Sequence, residues 1–328
     1  MLATIQEEDL EIDAVLVVRN GHLVLDAYTY PAQPDSRNII YSCTKSVVSA
    51  LVGIAIDQGY IENVDQPLLS FFPGREIAHQ DARKEAMTLE DLLTMSAGLK
   101  CEDSYLYGWR GLRQMEVSDD WVQYMLDLPM VAEPGARFEY CNGASFLLSA
   151  IIQETTGMNA LAFAEEHLFG PLGIDDLSWS SNPQGITIGW SDLHLRPRDM
   201  AKFGYLYLNG GRWEGEQVVP TAWVEASTSE HISATLEDGY GYHWWIDDDG
   251  YYMALGYAGQ FIFVVPDREL VVVFASHLPE SDFYEVQRLL EAYIIPSAVS
   301  TEPLPDNPEG LERLISLTAA RASPKSQP

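Results

Sequence analysis

Basic residues are scarce in this 328-residue chain. Lysine and arginine together number 19, against 49 aspartates and glutamates, so the formal net charge at pH 7 is −30. Such a charge repels nucleic acids and anionic membrane surfaces, and neither is expected as a partner. Acidic runs such as 7–9 and 247–249 are interpreted as solvated loops rather than as metal sites.

Long apolar runs are also missing. No stretch reaches the roughly 18 uninterrupted apolar residues that a membrane-spanning helix requires. The opening segment, from Met1 to Glu8, lacks the basic start of a signal peptide. As written, the sequence therefore predicts a cytoplasmic protein, or an exported one if an upstream signal has been removed.

Cysteine is rare, and the three that occur are Cys43, Cys101 and Cys141. They show no Cys-x-x-Cys spacing and no paired histidines, so no structural metal site is expected. We expect small buried packing residues rather than a disulfide, with Cys43 and Cys141 near each other. A glycine-rich phosphate loop is absent as well, and the sequence predicts no cofactor.

Strand patterns occupy the two ends of the chain. Residues 14–19 and 22–28 are predicted strands on either side of Asn20-Gly21, and an Asn-Gly pair in this place is a strong signal for a β-hairpin. Further strands are predicted at 242–246, 251–255, 261–265 and 270–275. The intervening region, up to about residue 190, shows no convincing strand, and helices are predicted at 42–59, 88–95, 121–128, 144–156 and 199–208.

These patterns predict an α+β fold, in which helices flank an antiparallel sheet and a mainly helical domain is inserted between its strands. We expect a discontinuous sheet domain (1–60 and 200–296), a helical domain (61–199) and a C-terminal extension (297–328). The extension is expected to be partly disordered, with one helix at 310–320 and a disordered tail at 322–328. A cleft between the two domains is the expected site.

The spacing of Ser42 and Lys45 is the first chemical signal. On a helix, positions i and i+3 share one face, so the hydroxyl and the amine can touch. Lysine can accept the serine proton if burial lowers its pKa, and the helix N-terminus favours a developing oxyanion. The alternative is that Ser42 only caps the helix and that Lys45 lies on the surface.

Two further segments carry polar groups suited to acyl transfer. Tyr140-Cys141-Asn142 precedes a buried helix; tyrosine can transfer a proton, and asparagine can hold a lysine or a substrate amide. Gly256-Tyr257-Ala258-Gly259-Gln260 lies between two strands, where glycine lets a substrate approach the backbone. Each segment alone also fits a structural reading, namely a buried tyrosine with a capping asparagine, and an ordinary turn.

The order of the three elements resembles the serine β-lactamase and penicillin-binding-protein superfamily, in which Ser-x-x-Lys is the nucleophile motif. The similarity is greatest to class C β-lactamase-related esterases and 6-aminohexanoate-dimer hydrolases, whose second motif is Tyr-x-Asn. It spans roughly residues 12–280 and includes 88–99, 171–174 and 240–245.

The resemblance implies a role for each matching residue. Ser42 would be the acylated nucleophile, Lys45 its partner, Tyr140 the general base and then acid, and Asn142 a positioning residue. The backbone N–H groups of Ser42 and Gln260 would form the oxyanion hole, with Tyr257 and Gly259 beside the substrate.

The third motif departs from the pattern of penicillin-processing members. They carry Lys-Thr-Gly, whose cation meets a substrate carboxylate, whereas this chain has Tyr257-Ala258-Gly259. We therefore expect a serine hydrolase that acts on a small-molecule carboxylic ester or amide. The alternatives are a D,D-carboxypeptidase or β-lactamase, and a catalytically silent binding protein of the same fold. The sequence predicts no oligomeric state.

Overall fold

The computed structural model describes residues 1–103, 107–234, 237–300 and 305–324. Their strands are β1 (Ile12–Arg19), β2 (His22–Tyr28), β3 (Asn38–Ile39), β4 (Ser178–Trp179), β5 (Leu193–Leu195), β6 (Arg212–Trp213), β7 (Glu216–Gln217), β8 (Ile232–Ser233), β9 (Gly239–Tyr240), β10 (Trp245–Asp247), β11 (Tyr251–Gly256), β12 (Gln260–Val265) and β13 (Leu270–Ser276). Eight of them form one antiparallel sheet in the order β2-β1-β13-β12-β11-β10-β9-β8.

Helices surround this sheet and fill the middle of the chain. They are α1 (Leu2–Glu7), α2 (Cys43–Asp57), α3 (Ala82–Ala86), α4 (Leu89–Leu93), α5 (Arg110–Glu116), α6 (Trp121–Asp127), α7 (Asn142–Thr156), α8 (Ala160–Ala164), α9 (Pro197–Leu208), α10 (Thr221–Ser227), α11 (Glu285–Leu289) and α12 (Pro308–Arg321). In the described part of the chain, no helix is long and apolar enough to cross a membrane. The predicted α+β fold class is confirmed.

The sheet joins the two ends of the chain, as predicted. Asn20 and Gly21 both have positive φ, 48° and 73°, which suits the tight turn between β1 and β2. On its other side β1 pairs with β13, where Val17 lies opposite Val272. Every residue of β13 is buried, as is every residue of β11 and β12, so these three neighbouring strands form a large part of the core.

Two strand predictions were wrong. The predicted strand at 242–246 begins only at Trp245, because His243 has a φ of 62° and the Gly241 N–H bonds to the Trp244 carbonyl, which makes a turn. The middle region also contains strands: β5 pairs with β4 and with β3. These elements have two or three residues, too few to show an alternating pattern.

Two long helices, α2 and α9, pack against strands of the large sheet. Helix α9 packs against β13, β12 and β1, and its Gly204 lies so close to Val271 and Ile262 that an added Cβ would lie 2.6 and 2.7 Å from their side chains. Helix α2 contacts β11, β12 and α7 and is buried along nearly its whole length. The sheet therefore supports the start of α2 directly.

The division into domains at 1–60, 61–199 and 200–296 stays a prediction. In the C-terminal extension, α12 covers the helix expected at 310–320. Residues 301–304 and 325–328 of that extension, including most of the predicted tail, lie outside the described residues.

Candidate active site

Ser42 lies immediately before α2, and its side chain makes no capping hydrogen bond to that helix. The chain enters the helix through Tyr41, whose φ of 44° is unusual for a residue with a side chain. A Cβ at Gly256 would lie 2.4 Å from the Ile40 carbonyl oxygen, so the end of β11 approaches this turn closely. The hydroxyl of Ser42 is thus presented at a tight junction of helix and strand rather than used as a cap.

Lys45 is buried one turn into α2, with 2% of its side chain exposed. Its Nζ donates to Ser42 Oγ at 3.0 Å, to Asn142 Oδ1 at 2.8 Å and to the Trp190 carbonyl at 3.0 Å. These three acceptors satisfy the three protons of an ammonium group. Burial lowers the pKa of Lys45 to about 7, although the Asp103 carboxylate opposes that shift. Lys45 is therefore not the surface residue of the alternative interpretation.

Tyr140 lies beside the same pair. Its ring stacks on Trp245, with centroids 6.1 Å apart, and Lys45 Nζ lies 4.8 Å from the centre of the Tyr140 ring. Burial raises the pKa of the Tyr140 phenol well above its usual range, and a hydrogen bond with the Ser42 hydroxyl opposes that rise. At neutral pH, Tyr140 is accordingly a protonated phenol.

Asn142 is the first residue of α7 and connects Lys45 to a buried acid. Its side-chain oxygen accepts from Lys45, and its backbone N–H donates to Asp103 Oδ2 at 2.9 Å. The other oxygen of Asp103 accepts from the Leu112 N–H at 2.5 Å. Burial raises the pKa of Asp103 to about 6 against these hydrogen bonds and the charge of Lys45. Asp103 was not predicted from the sequence, because it lies in a loop that has no periodic pattern.

Cys101 and Cys141 form a disulfide, with Cα atoms 5.8 Å apart. The expectation of packing cysteines was wrong for this pair, because a separation of 40 residues gives no sign of their contact in space. Ligand atoms of Cys101, Asp103 and Cys141 lie within 4.8 Å of one another, but the disulfide leaves no thiolate for a metal. The bond ties the loop that carries Asp103 to the Tyr140-Cys141-Asn142 segment.

Cys43 is the remaining cysteine, and it is buried and free. Its Sγ donates to the Gln260 carbonyl at 3.4 Å, at the start of β12, while its proximity to Cys141 stays a prediction. This contact places Gln260 beside the first turn of α2. The Gln260 side chain is buried and donates to the Ser276 carbonyl at 2.5 Å. Any contact from Gln260 to a substrate would therefore come from its backbone.

The turn between β11 and β12 completes the surroundings of Ser42. Ala258 and Gly259 have φ values of 61° and 84°, and a Cβ at Gly259 would lie 3.0 Å from Ser276 and Leu278 side-chain atoms. Tyr257 is 53% exposed, and its ring meets that of Tyr41 edge-on at 5.5 Å. Because Tyr41 adjoins Ser42 in the chain, a pair formed by the half-buried Tyr41 and the exposed Tyr257 borders Ser42.

A buried histidine supports the site from behind. The carbonyl of His243 accepts from Ser46 Oγ at 2.6 Å, and its Nε2 lies 3.0 Å from Ser145 Oγ. Burial, with the nearby charge of Lys45, lowers the pKa of His243 to about 3, so its ring is neutral. His243 thus connects α2 and α7 without adding a second positive charge. Residues 240–245 contribute to the family resemblance, but their sequence does not predict this contact of His243 with α2 and α7.

The sequence matches the family model described as Beta-lactamase over residues 6–293. The chain belongs to the Beta-lactamase family. The predicted resemblance is confirmed, and members of this family are hydrolases.

One sequence relative and two solved structures illustrate the similarity. The 6-aminohexanoate-dimer hydrolase of Paenarthrobacter ureafaciens is 26% identical over 297 residues, covering 84% of this chain and 75% of that protein. A structure described as a candidate 6-aminohexanoate-dimer hydrolase from Bacillus anthracis superimposes with a TM-score of 0.77 at 22% identity, over 92% of this chain and 83% of that one. EstCE1, a hydrolase with promiscuous acyltransferase activity, gives a TM-score of 0.72 at 16% identity, over 90% of this chain and 95% of that one. At these identities the two structures show the shared fold.

Proposed function

We propose that this protein is a serine hydrolase that cleaves a carboxylic ester or a small amide through an acyl-enzyme on Ser42. The observation that carries the proposal is the pair of Lys45 Nζ and Ser42 Oγ, 3.0 Å apart, with a lysine pKa of about 7. A buried amine that is partly neutral at physiological pH can accept a hydroxyl proton.

In the first half of the reaction, Ser42 Oγ attacks the carbonyl carbon of the substrate and its proton passes to Lys45 Nζ. The carbonyl oxygen becomes an oxyanion, for which we assign the backbone N–H groups of Ser42 and Gln260. The tetrahedral intermediate then expels the alcohol or amine and leaves an ester on Ser42. Asn142 and the Trp190 carbonyl hold Lys45 in place through their hydrogen bonds.

The leaving group takes its proton from Tyr140 in this scheme, and the Lys45 ammonium returns a proton to the phenolate. The raised pKa keeps Tyr140 protonated at neutral pH, so Tyr140 can hold the proton that the leaving group needs but cannot be the first base, a role that the lowered pKa of Lys45 fits. This reverses the order of roles expected from the resemblance. In the second half, water attacks the acyl-enzyme and its proton passes to Lys45. The Lys45 ammonium then gives a proton to Ser42 Oγ as the carboxylic acid leaves, which restores Ser42.

The substrate preference is inferred from Tyr257. A lysine at this position would offer a cation to a substrate carboxylate, whereas the exposed phenol ring offers an apolar, uncharged surface. Small uncharged acyl groups therefore fit better than carboxylated β-lactams. Two of the proteins named above are described as 6-aminohexanoate-dimer hydrolases and one as a hydrolase with acyltransferase activity, which supports an ester or amide as the bond that is cleaved.

The test compares native protein with Ser42→Ala on short-chain nitrophenyl esters, a linear amide and a chromogenic cephalosporin. Ester or amide turnover in the native protein that Ser42→Ala abolishes is the expected result, together with mass-spectrometric trapping of an acyl group on Ser42. Selective cephalosporin cleavage would favour the β-lactamase alternative. Equal turnover by both proteins, or none on any substrate, would overturn the proposal and, in the second case, favour a silent binding protein.

A further inference from the structure

Arg321, the last residue of α12, is buried against the sheet with 9% of its surface exposed. Its guanidinium Nη2 donates to the Ile12 carbonyl at 3.1 Å and to Thr29 Oγ1. Its own carbonyl accepts from the Tyr30 N–H at 2.8 Å. The end of α12 is therefore fixed between the start of β1 and the end of β2.

The charge of this arginine is not compensated by the residues around it. An arginine side chain stays protonated in proteins, and a buried charge is normally paired. Among the described residues, Arg321 forms no ion pair with a carboxylate within 4.0 Å, and burial lowers its pKa without an opposing charge. Its Nε is buried and has no hydrogen-bond partner. This buried Nε is out of reach of a ligand, but Nη1 donates to none of the described residues, so this end of the guanidinium keeps capacity to bind an anion.

A cavity of about 620 Å³ lies beside this group. Its described walls come from α1, from the residues that follow β2, and from the C-terminal turn of α12. Ile5, Leu10 and Ala320 supply apolar surface, while Asp9 and Gln6 add polar groups. Arg321 is the only basic side chain among the described lining residues. A volume of this order accommodates a small organic molecule.

We propose that this cavity is a binding site for a small organic carboxylate. The carboxylate accepts from Nη1 of Arg321, because both Nη2 protons are already donated, and a short apolar chain lies against Ile5, Leu10 and Ala320. A phosphate dianion fits less well, because a single guanidinium compensates only one of its two negative charges.

The site is separate from the hydrolase centre. None of its described lining residues belongs to the group around Ser42, and α12 lies beyond the residues 6–293 that match the family. The proposal does not depend on the proposed function, because the buried charge, the cavity and the apolar lining exist without it.

Isothermal titration calorimetry with hexanoate, the neutral hexanamide and inorganic phosphate tests the site in the full chain. Ala320→Phe fills the cavity and keeps Arg321, Arg321→Gln removes the charge, and Arg313→Gln is the control because Arg313 lies exposed on the same helix. We expect one hexanoate per chain, with binding at least tenfold weaker for hexanamide, for Ala320→Phe and for Arg321→Gln. Arg313→Gln should bind like the native protein, and ester hydrolysis by Ala320→Phe should be unchanged.

Several results would overturn the proposal. Absence of hexanoate binding to the native protein would do so, as would equal affinity for hexanamide. Binding that survives Ala320→Phe would place hexanoate elsewhere, including at the hydrolase centre, and phosphate binding tighter than hexanoate binding would make this an inorganic-anion site. If Arg321→Gln does not fold, the Ala320→Phe comparison decides alone.

Discussion

The carboxylate of Asp103 accepts the backbone N–H of Asn142 at 2.9 Å, while the side chain of the same Asn142 accepts from Lys45 at 2.8 Å. A buried anion therefore holds the first residue of α7, and that residue holds the amine beside the nucleophile. The negative charge of Asp103 also raises the pKa of Lys45, against the larger lowering by burial. Asp103 is thus connected to Ser42 through Asn142 and Lys45, and we propose that it acts as a positioning residue.

Asp103→Asn is expected to shift the pH dependence of hydrolysis. The neutral form of Lys45 accepts the proton, so activity should rise as the pH increases through the Lys45 pKa, near 7 in the native protein. Removing the negative charge lowers that pKa further and moves the rising limb to lower pH. The measurement is kcat/KM for a neutral ester from pH 5 to 9, which reports on the free enzyme.

Glu102→Gln is the matched control, because Glu102 adjoins Asp103 but forms exposed ion pairs with Lys100 and Arg110. Its profile should follow the native one. If the rising part of the plot of kcat/KM against pH stays in place in Asp103→Asn, or moves to higher pH, the carboxylate has only a structural role. A lower kcat alone would not separate the two cases, since the substitution also weakens one backbone hydrogen bond.

Tyr140→Phe removes the proposed acid and keeps the ring that stacks on Trp245. We expect kcat for alkyl esters and amides to fall by about 10²- to 10⁴-fold, the usual contribution of general acid–base catalysis. Nitrophenyl esters should lose less, because nitrophenolate leaves without protonation. Tyr124→Phe is the control, since the Tyr124 hydroxyl contacts Gln114 outside the site. Equal losses on both kinds of ester would contradict the acid role.

Helical spacing predicted the contact of Ser42 with Lys45, but the same spacing also fits a helix cap and a surface lysine, so their proposed catalytic roles required the family resemblance. The roles of Tyr140 and Asn142 required the family resemblance, since each residue also fits a purely structural reading. Trp190 could not have been found, because it contributes a backbone carbonyl that any residue carries. Asp103 and the Cys101–Cys141 bond depend on how a loop folds back, which no local pattern encodes.

The fold shows the same division between local and long-range information. The hairpin at Asn20-Gly21 and the long strands β11, β12 and β13 were predicted, because turn residues and runs of β-branched and aromatic residues are local signals. The pairing of β5 with β3 and β4 was missed, since each element is too short to carry a period. The turn at 241–244 was missed because its aromatic sequence favours a strand, while His243 contacts α2 and α7 instead.

The Cys101–Cys141 disulfide should stabilise both the fold and the site. Replacing both cysteines by alanine is expected to lower the free energy of unfolding by about 2–5 kcal/mol, as is typical when a native disulfide is removed. Chemical denaturation followed by tryptophan fluorescence measures the difference. Dithiothreitol should bring the native protein towards the stability of the double variant and leave that variant unchanged. A native protein that is indifferent to dithiothreitol and no more stable than the double variant would contradict this expectation.

Tyr257→Lys should change which acyl groups are accepted. The ring of Tyr257 is exposed beside Tyr41, so the substitution requires no repacking of the core and places an ammonium group at the edge of the site. A charge-assisted hydrogen bond contributes about 1.5–3 kcal/mol, and partial exposure reduces this, so we expect about a tenfold lower KM for an ester that carries a carboxylate. The KM for a matched neutral ester should stay within about twofold. Tyr257→Phe, which keeps the ring and adds no charge, should treat both esters as the native protein does. If the lysine and phenylalanine variants gave the same ratio of KM values for the two esters, position 257 would not contact the acyl group, and the preference for uncharged substrates would need another origin.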